Sequence, residues 1–314
     1  MEMISSERNE AGLPKWLPYY DDPSCTEQVR VKLLEMSRCT IERFLVMLRK
    51  ENTTNRGLST TSSALRAFKT KIPINTLDRQ AVRPGFTQSD TVAHCGNTTA
   101  GQYVNSITLT DLWSGWTANR SIPTKKAIHV RRAFMDIKRT LPFELIAVNT
   151  DSGSEFINAE ILDFMNPNPI YGQKHIIFTR SRPYKKNDNC YVEQKNYTHV
   201  RQLFGYYRFE DAGLVALMNE IYTEYWNPLH NFFLPSQKLI SKTRVGSKIV
   251  KKHDTPQTPA DRLLASQHLS DEQRHLLRQQ AQSLNPFDLS KKLEQKLKEF
   301  FDRYKQSIAH KEAA

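Results

Sequence analysis

Residues 145–156 read LIAVNTDSGSEF, and this stretch decides the fold class. Its first four residues form a short apolar run, which is typical of a buried parallel strand. The run leads into Asp151, so the sequence places a carboxylate where the strand ends. Ligands in α/β sheets bind at strand ends, and Asp151 is therefore a candidate catalytic residue.

The segments around this run predict the rest of the sheet. Strands are expected at 90–94, 103–109 and 116–120, with turns between them, which makes an antiparallel meander. A helix is predicted over 124–139, and a second buried strand at 176–178. Three antiparallel strands followed by alternating helices and strands predict an α/β fold with a mixed sheet flanked by helices.

Three carboxylates fall at informative places in this layout. Asp90 lies on the first strand, Asp151 follows the fourth, and Glu193 lies on a helix that Asp188 or Asn189 is predicted to cap. A two-metal phosphoryl-transfer site needs carboxylates in such positions, because Mg²⁺ prefers hard oxygen ligands. Taken singly, each residue is more simply a solvated carboxylate or a helix cap.

The charge of the chain favours a polyanionic partner. The net charge is +12 and the sequence pI is about 9.5, which fits nucleic acid, although a merely soluble basic protein is the alternative. Basic residues cluster around Glu193 and again after residue 236. The candidate DNA-binding residues are Arg180, Arg182, Lys185, Lys186, Lys195, Arg201, Lys248, Lys251 and Lys252.

Other patterns bound the class of protein. No stretch approaches the roughly 20 apolar residues of a membrane span, and the residues after Met1 do not resemble a signal peptide. The four cysteines lack CxxC spacing. We therefore expect a cytoplasmic protein that binds no zinc and no membrane.

The chain divides into five predicted parts. They are a partial helix-turn-helix-like region (1–50), a linker (51–83), a catalytic core (84–235), a basic DNA-contacting segment (236–264) and a helical tail (265–314). The helical pair of the first part is as compatible with a structural role as with base reading.

Two helical features carry their own expectations. Asn227-Pro228 is predicted to interrupt a helix, because proline lacks the N–H that the helix needs. The tail has an apolar stripe at helical spacing, which is expected to pack on its own domain. The stripe consists of Leu289, Leu293, Leu297, Phe300 and Tyr304.

The motifs resemble those of the DDE transposases of the retroviral-integrase type, in particular the integrase-core proteins of bacterial insertion sequences. The resemblance is carried by DSGSEF at 151–156 and by RPYKKNDNCYVEQKN at 182–196. It covers roughly residues 16–264. The family's DxxGxEF-like segment matches Asp151, Gly153, Glu155 and Phe156. Of these only Asp151 is taken as catalytic, whereas Glu155 is expected to cap or pair at the start of its helix.

This resemblance implies a ribonuclease-H-like core in which Asp90, Asp151 and Glu193 bind two Mg²⁺ or Mn²⁺ ions. It also implies DNA cleavage and strand transfer by a homo-multimer on DNA, associated with the bacterial nucleoid. Relatives of this kind carry a longer N-terminal DNA-binding region, so a truncated copy with an intact core is expected.

Three functions remain open on the sequence. The first is an active transposase or integrase core. The second is a DNA-binding relic or regulator that no longer transposes. The third is a ribonuclease-H-like nuclease that hydrolyses DNA without joining it.

Overall fold

A five-stranded sheet forms the centre of the protein. The computed structural model describes residues 5–49, 71–75, 77, 81–167, 174–182 and 186–312. The strands are β1 (Phe86–Ala93), β2 (Asn105–Asp111), β3 (Thr117–Ile122), β4 (Ala147–Thr150) and β5 (Ile177–Arg180). Their order is β3-β2-β1-β4-β5. The first three strands pair antiparallel, whereas β4 and β5 continue parallel to β1. This arrangement confirms the predicted ribonuclease-H-like mixed sheet.

One face of the sheet is covered by α4 (Ala127–Thr140) and α5 (Ala159–Met165), two helices that bury apolar side chains. Phe134 of α4 is fully buried and stacks on Phe164 with ring centroids 6.0 Å apart. The expectation that Glu155 lies at the start of the second helix is wrong. It begins at Ala159 because the side chain of Asn158 caps it, accepting a hydrogen bond from the Ile161 amide at 3.0 Å.

Two long helical segments cover the other face. The first contains α6 (Cys190–Lys195), the π-helical segment Asn196–Arg201 and a last α-helical turn, Gln202–Phe204. The second contains α7 (Leu214–Glu220) and two further π-helical segments, Ile221–Trp226 and Leu229–Phe233.

The predicted interruption at Asn227-Pro228 is wrong. Asn227 and Pro228 both have right-handed helical backbone angles, with φ near −60°. Proline removes one backbone donor from a helix. Here it stands between two π-helical segments, where the regular i→i+4 ladder is already displaced.

Asparagines of this second segment complete the hydrogen bonding of the edge strand β3. The Asn231 carboxamide accepts from the Thr117 amide at 3.0 Å and donates to the Thr117 carbonyl at 2.8 Å. Asn219 makes the same pair of bonds with Ser121, at 2.7 and 3.0 Å. Asn227 donates to the Asn119 carbonyl at 3.5 Å. Alternate residues of an edge strand, which would otherwise be unpaired, are therefore satisfied by side chains.

The N-terminal helices are α1 (Ser6–Trp16), α2 (Glu27–Leu34) and α3 (Arg38–Arg49). Helix α1 docks on the core through the Trp16 indole, which donates to the Phe233 carbonyl at 3.1 Å. The linker expected at 51–83 lies mostly outside the described residues, and the predicted domain boundaries remain predictions.

The C-terminal part begins with an exposed hairpin of β6 (Leu239–Val245) and β7 (Lys248–His253). Helices α8 (Pro259–Ala265), α9 (Asp271–Ser283) and α10 (Pro286–Glu312) follow. Phe300 of α10 lies 4.9 Å from Phe204 and 5.0 Å from Phe209, centroid to centroid. This confirms that the tail stripe packs on its own domain. Across the described ranges, no helix is both long and apolar enough to cross a membrane.

We expect Asn231→Ala to lower the free energy of unfolding by roughly 2–6 kcal/mol, because two backbone groups of the buried Thr117 lose their partners. Urea denaturation measures this loss. The exposed Asn97→Ala is the matched control and should change stability by less than about 0.5 kcal/mol. Equal stabilities of the two variants would show that the carboxamide does not support the edge strand.

Candidate active site

Asp90 lies on β1 at the centre of the sheet, with a half-buried side chain. One carboxylate oxygen accepts from the Thr91 amide at 2.7 Å. The other accepts from the side-chain amide of Asn196 at 2.7 Å. Two hydrogen bonds therefore fix the orientation of this carboxylate.

The parallel pairing of β1 and β4 brings Asp151 next to Asp90. Ser89 is paired with Thr150, and each aspartate is the next residue on its strand. Burial raises the pKa of Asp90 to about 7, and the negative charge of Asp151 adds to this shift. The two carboxylates thus form a like-charged pair where β4 ends beside β1.

The segment that follows Asp151 closes around Gly153. The Gly153 amide donates to the Asp151 carboxylate at 3.0 Å. A Cβ on Gly153 would lie 2.6 Å from the Glu155 carboxylate and 2.9 Å from that of Asp151. A side chain at position 153 would therefore displace one or both carboxylates from these positions.

Glu155 belongs to an ion pair beside the aspartates. Its carboxylate accepts from Lys125 at 2.8 Å and from the Thr91 hydroxyl at 2.8 Å. Burial raises the pKa of Glu155, but the Lys125 ammonium and the hydrogen bonds to the carboxylate together outweigh burial, so the pKa lies below its ordinary value. The expectation that Glu155 pairs is confirmed, whereas the cap of α5 is Asn158.

Glu193 lies in the first turn of α6 with an exposed side chain. In the described part of the chain, no three His, Cys, Asp or Glu side chains stand close enough to hold a metal ion. Glu193 therefore does not join Asp90 and Asp151 in one cluster. It precedes Asn196 by three residues, and residues at this spacing share a helix face.

The predicted cap of this helix is wrong. The Asn189 side chain makes no capping hydrogen bond, and the Asp188 carboxylate accepts from the Arg182 guanidinium at 2.7 and 2.8 Å. A 3₁₀ turn, Lys186–Asn189, leads into α6 instead. The bidentate interaction with Arg182 engages the Asp188 carboxylate, which is therefore not used to cap α6.

The two aspartates suit a divalent cation in their chemistry. They present hard oxygen ligands, and their mutual repulsion is relieved when a cation binds between them. The Lys125 ammonium is already paired with Glu155 at 2.8 Å. The residues on the sheet therefore fit a metal site, for which Glu193 supplies a third carboxylate only if its side chain turns towards Asp90.

The predicted DNA-binding residues near the core differ in how far their side chains are already engaged or buried. Arg180 donates to the Ile72 carbonyl, Arg182 pairs with Asp188, and Arg201 donates to the Ala93 carbonyl at 3.0 Å. Lys195 is half-buried rather than part of an open basic surface. Lys185 lies outside the described residues, and of Lys186 only the backbone is described.

The remaining three predicted residues, Lys248, Lys251 and Lys252, are exposed on β7. Lys251 stands directly opposite Lys242 of β6. Like charges facing each other destabilise a strand pair, so this hairpin favours a polyanion that neutralises them.

Sequence reasoning missed Asn196 and Lys125. Asn196 could have been found from its spacing, because it follows Glu193 by one helical turn on the same face. Lys125 gives no such signal, since only the folded loop between β3 and α4 brings it to Glu155.

The fold and the aspartate pair define a protein with a ribonuclease-H-like core. Among solved structures, the chain is similar to the catalytic core domain of BIV integrase, with 17% identity and a TM-score of 0.29 over 38% of this chain and 68% of that chain. It is also similar to the HTLV-2 integrase catalytic core domain in complex with magnesium, with 19% identity and a TM-score of 0.30 over 39% and 72% of the two chains. The fold assignment rests on the strand order itself.

A curated relative defines the family. The chain is 33% identical over 269 residues to the uncharacterized protein y4rM of Sinorhizobium fredii (strain NBRC 101917 / NGR234), covering 83% of this chain and 73% of that protein. The chain therefore belongs to the family of y4rM. No family model matches it.

We expect Asp90→Asn to gain stability relative to the wild type as the pH rises. The folded wild type holds this proton up to a pKa of about 7, whereas the unfolded chain releases it near 3.8. Wild-type stability is therefore lost between these two values and stays lower above pH 7. Urea denaturation in EDTA from pH 4 to pH 8 measures the difference, which should grow to about pH 7 and then level off.

The exposed Asp163→Asn on α5 is the matched control and should show no such trend. A constant difference between Asp90→Asn and the wild type at all pH values would contradict the raised pKa of Asp90.

Proposed function

We propose that this protein is a metal-dependent transposase or integrase core that catalyses DNA cleavage and strand transfer, of the kind encoded by bacterial insertion sequences. The observation that carries the proposal is the register of β1 and β4, which puts Asp90 beside Asp151 at a strand end. Such a pair of carboxylates suits phosphoryl transfer at DNA, since the reaction needs no covalent protein intermediate.

In this proposal Asp90, Asp151 and Glu193 hold two Mg²⁺ or Mn²⁺ ions. Ions held by these residues would supply activation of the attacking oxygen and charge neutralisation at the leaving oxygen. Asn196 and Thr91 orient the Asp90 carboxylate through hydrogen bonds of 2.7 Å. The Gly153 amide does the same for Asp151 at 3.0 Å.

The Lys125–Glu155 ion pair fixes the loop between β3 and α4 beside the aspartates. Glu155 also accepts from Thr91, the neighbour of Asp90, so one carboxylate ties the β3–α4 loop to β1. Lys125 holds the loop through this pair, and its positive charge also acts on Asp90 and Asp151. Glu193 then completes the site from α6, whose turn beyond it already contacts Asp90 through Asn196.

DNA contact is assigned to the exposed hairpin of β6 and β7. Lys248, Lys251 and Lys252 are exposed, and the strand pair places Lys251 opposite Lys242. Lysine side chains on such a surface contact the phosphate backbone without reading bases. Joining two DNA ends needs more than one active site, so a homo-multimer on DNA, acting at the nucleoid in the bacterial cytoplasm, is part of the proposal.

We expect Asp90→Ala, Asp151→Asn and Glu193→Ala each to reduce strand transfer by about a thousandfold or more. Each variant removes one of the carboxylates that are proposed to bind the metal ions. Stabilisation of the transition state by those ions is worth several kcal/mol. The measurement is joining of labelled element ends to a target DNA in Mg²⁺. Asp163→Asn is the acidic control and should join normally, because its side chain is exposed on α5.

The outcomes separate the three functions. Hydrolysis without joining by the wild type would favour the nuclease, and DNA binding with neither reaction would favour the relic. Normal joining by any one of the three variants would show that its carboxylate is not a metal ligand.

We expect replacement of Lys248, Lys251 and Lys252 by alanine to weaken DNA binding and flatten its salt dependence. The slope of log affinity against log salt should fall by about 0.9 for each phosphate group that the variant no longer neutralises. Fluorescence anisotropy with duplex DNA at several salt concentrations measures this slope. Replacement of Lys291, Lys292 and Lys298, which are exposed on α10, removes the same charge as a control. Equal slopes for the two triple variants would place the DNA elsewhere.

A further inference from the structure

Three buried aromatic rings with unpartnered nitrogens meet behind the helix that carries Glu193. The rings of His199 and His230 lie 4.2 Å apart, and those of Trp226 and His230 lie 4.3 Å apart, centroid to centroid. All three residues are at least nine-tenths buried. Among the described residues, neither nitrogen of His199, nor His230 Nε2, nor Trp226 Nε1 has a hydrogen-bond partner.

Each ring lies in a different π-helical segment. His199 belongs to Asn196–Arg201, Trp226 to Ile221–Trp226 and His230 to Leu229–Phe233. Such segments are rare and are frequently found at functional sites. Buried donors without partners are also unfavourable, so their concentration at one place requires an explanation.

Two basic side chains stand beside these rings. Lys195 is half-buried and makes no hydrogen bond or ion pair within the described part of the chain. Arg8 of α1 donates to the Pro235 carbonyl. Burial, together with the charges of Lys195 and Arg8, holds the pKa of His230 well below its usual range, so this ring is neutral.

The cluster offers more donors than acceptors. An ammonium, a guanidinium and an indole N–H can only donate, and each neutral imidazole donates once and accepts once. The charged groups that act on Lys195 are Arg8 and Arg262, both positive. Arg262 is already paired with Asp254 at 3.0 Å, whereas Lys195 has no such partner among the described residues. Burial and the charges of Arg8 and Arg262 lower the pKa of Lys195 to about 7. Water could fill the hydrogen bonds, but an anion also balances the charge of these side chains.

We propose that Arg8, Lys195, His199, Trp226 and His230 form a binding site for an oxyanion of the phosphate class. A phosphate group presents several strong acceptors to such donors. The site is separate from the aspartate pair, because residues two apart on a helix, such as Glu193 and Lys195, face nearly opposite directions. An anion held there ties α1 to the helical segments that carry Lys195 and His230.

The test is binding of inorganic phosphate to the full chain, measured by isothermal titration calorimetry in EDTA at constant ionic strength with chloride as the balancing ion. We expect one saturable site per chain and a rise in melting temperature with phosphate concentration. Lys195→Met and His230→Phe should weaken phosphate binding by about tenfold or more, because each removes a donor but keeps much of the side-chain volume. Arg8→Gln, on the peripheral helix α1, tests the same site without altering the core.

Lys298→Met and His275→Phe are the matched controls, since both side chains are exposed on the tail helices. No saturable phosphate binding by the wild type would overturn the proposal and leave buried water as the partner of these donors. Phosphate affinity that is unchanged in Lys195→Met and Arg8→Gln would overturn it as well. Competition by a 5′-phosphorylated dinucleotide would show that the site takes a nucleic-acid phosphate, and its absence would assign the site to the free ion.

Discussion

The pairing of asparagine side chains with the edge strand β3 is the constraint on which the helical half of the protein depends. Asn231 and Asn219 each make two hydrogen bonds with the backbone of one β3 residue, at Thr117 and Ser121. These bonds take the place of the hydrogen bonds that a further strand would make with β3. They fix both the height and the rotation of the covering helix, so the side chains between the two asparagines have little freedom in where they point.

The π-helical segments follow from this constraint. The twelve residues from Asn219 to Asn231 would span about 18 Å as a regular α-helix, whereas the four residues from Thr117 to Ser121 span about 13 Å. The i→i+5 bonding of π turns places more residues in each turn and reduces the mismatch. Pro228 is tolerated for a related reason, because it stands where the regular ladder is already displaced. The buried rings of Trp226 and His230 are carried by the same two π-helical segments.

The sequence predicts the sheet well because the relevant signals are local. The apolar run before Asp151 and the alternation around Asp90 each depend on a few neighbouring residues, and the parallel register of β1 and β4 then brings the two acids together. The errors arise where a distant partner decides. Asp188 is predicted to cap a helix but is bound by Arg182, and Lys125 reaches Glu155 only through the folded loop. The π-helical segments depend on hydrogen bonds to β3. The residues near Pro228 in the sequence give no indication of these bonds.

The face of α6 that meets the sheet and the face that meets the rings belong to one rigid element. Asn196, at its end, holds the Asp90 carboxylate at 2.7 Å, and Lys195, the residue before it, is close enough to Arg8 of α1 for the Arg8 charge to lower its pKa. A shift of α6 that brings Glu193 towards the aspartates must therefore also move Lys195 relative to Arg8. Helix α1 is anchored separately to the core through Trp16 and Phe233. The electrostatic interaction between Lys195 and Arg8 therefore affects the position of α6 relative to α1. Repulsion between two unneutralised cations favours separation of α1 from α6, and an anion between them removes that repulsion. The position of Glu193 is therefore linked to the charges of Lys195 and Arg8 on the opposite side of its helix.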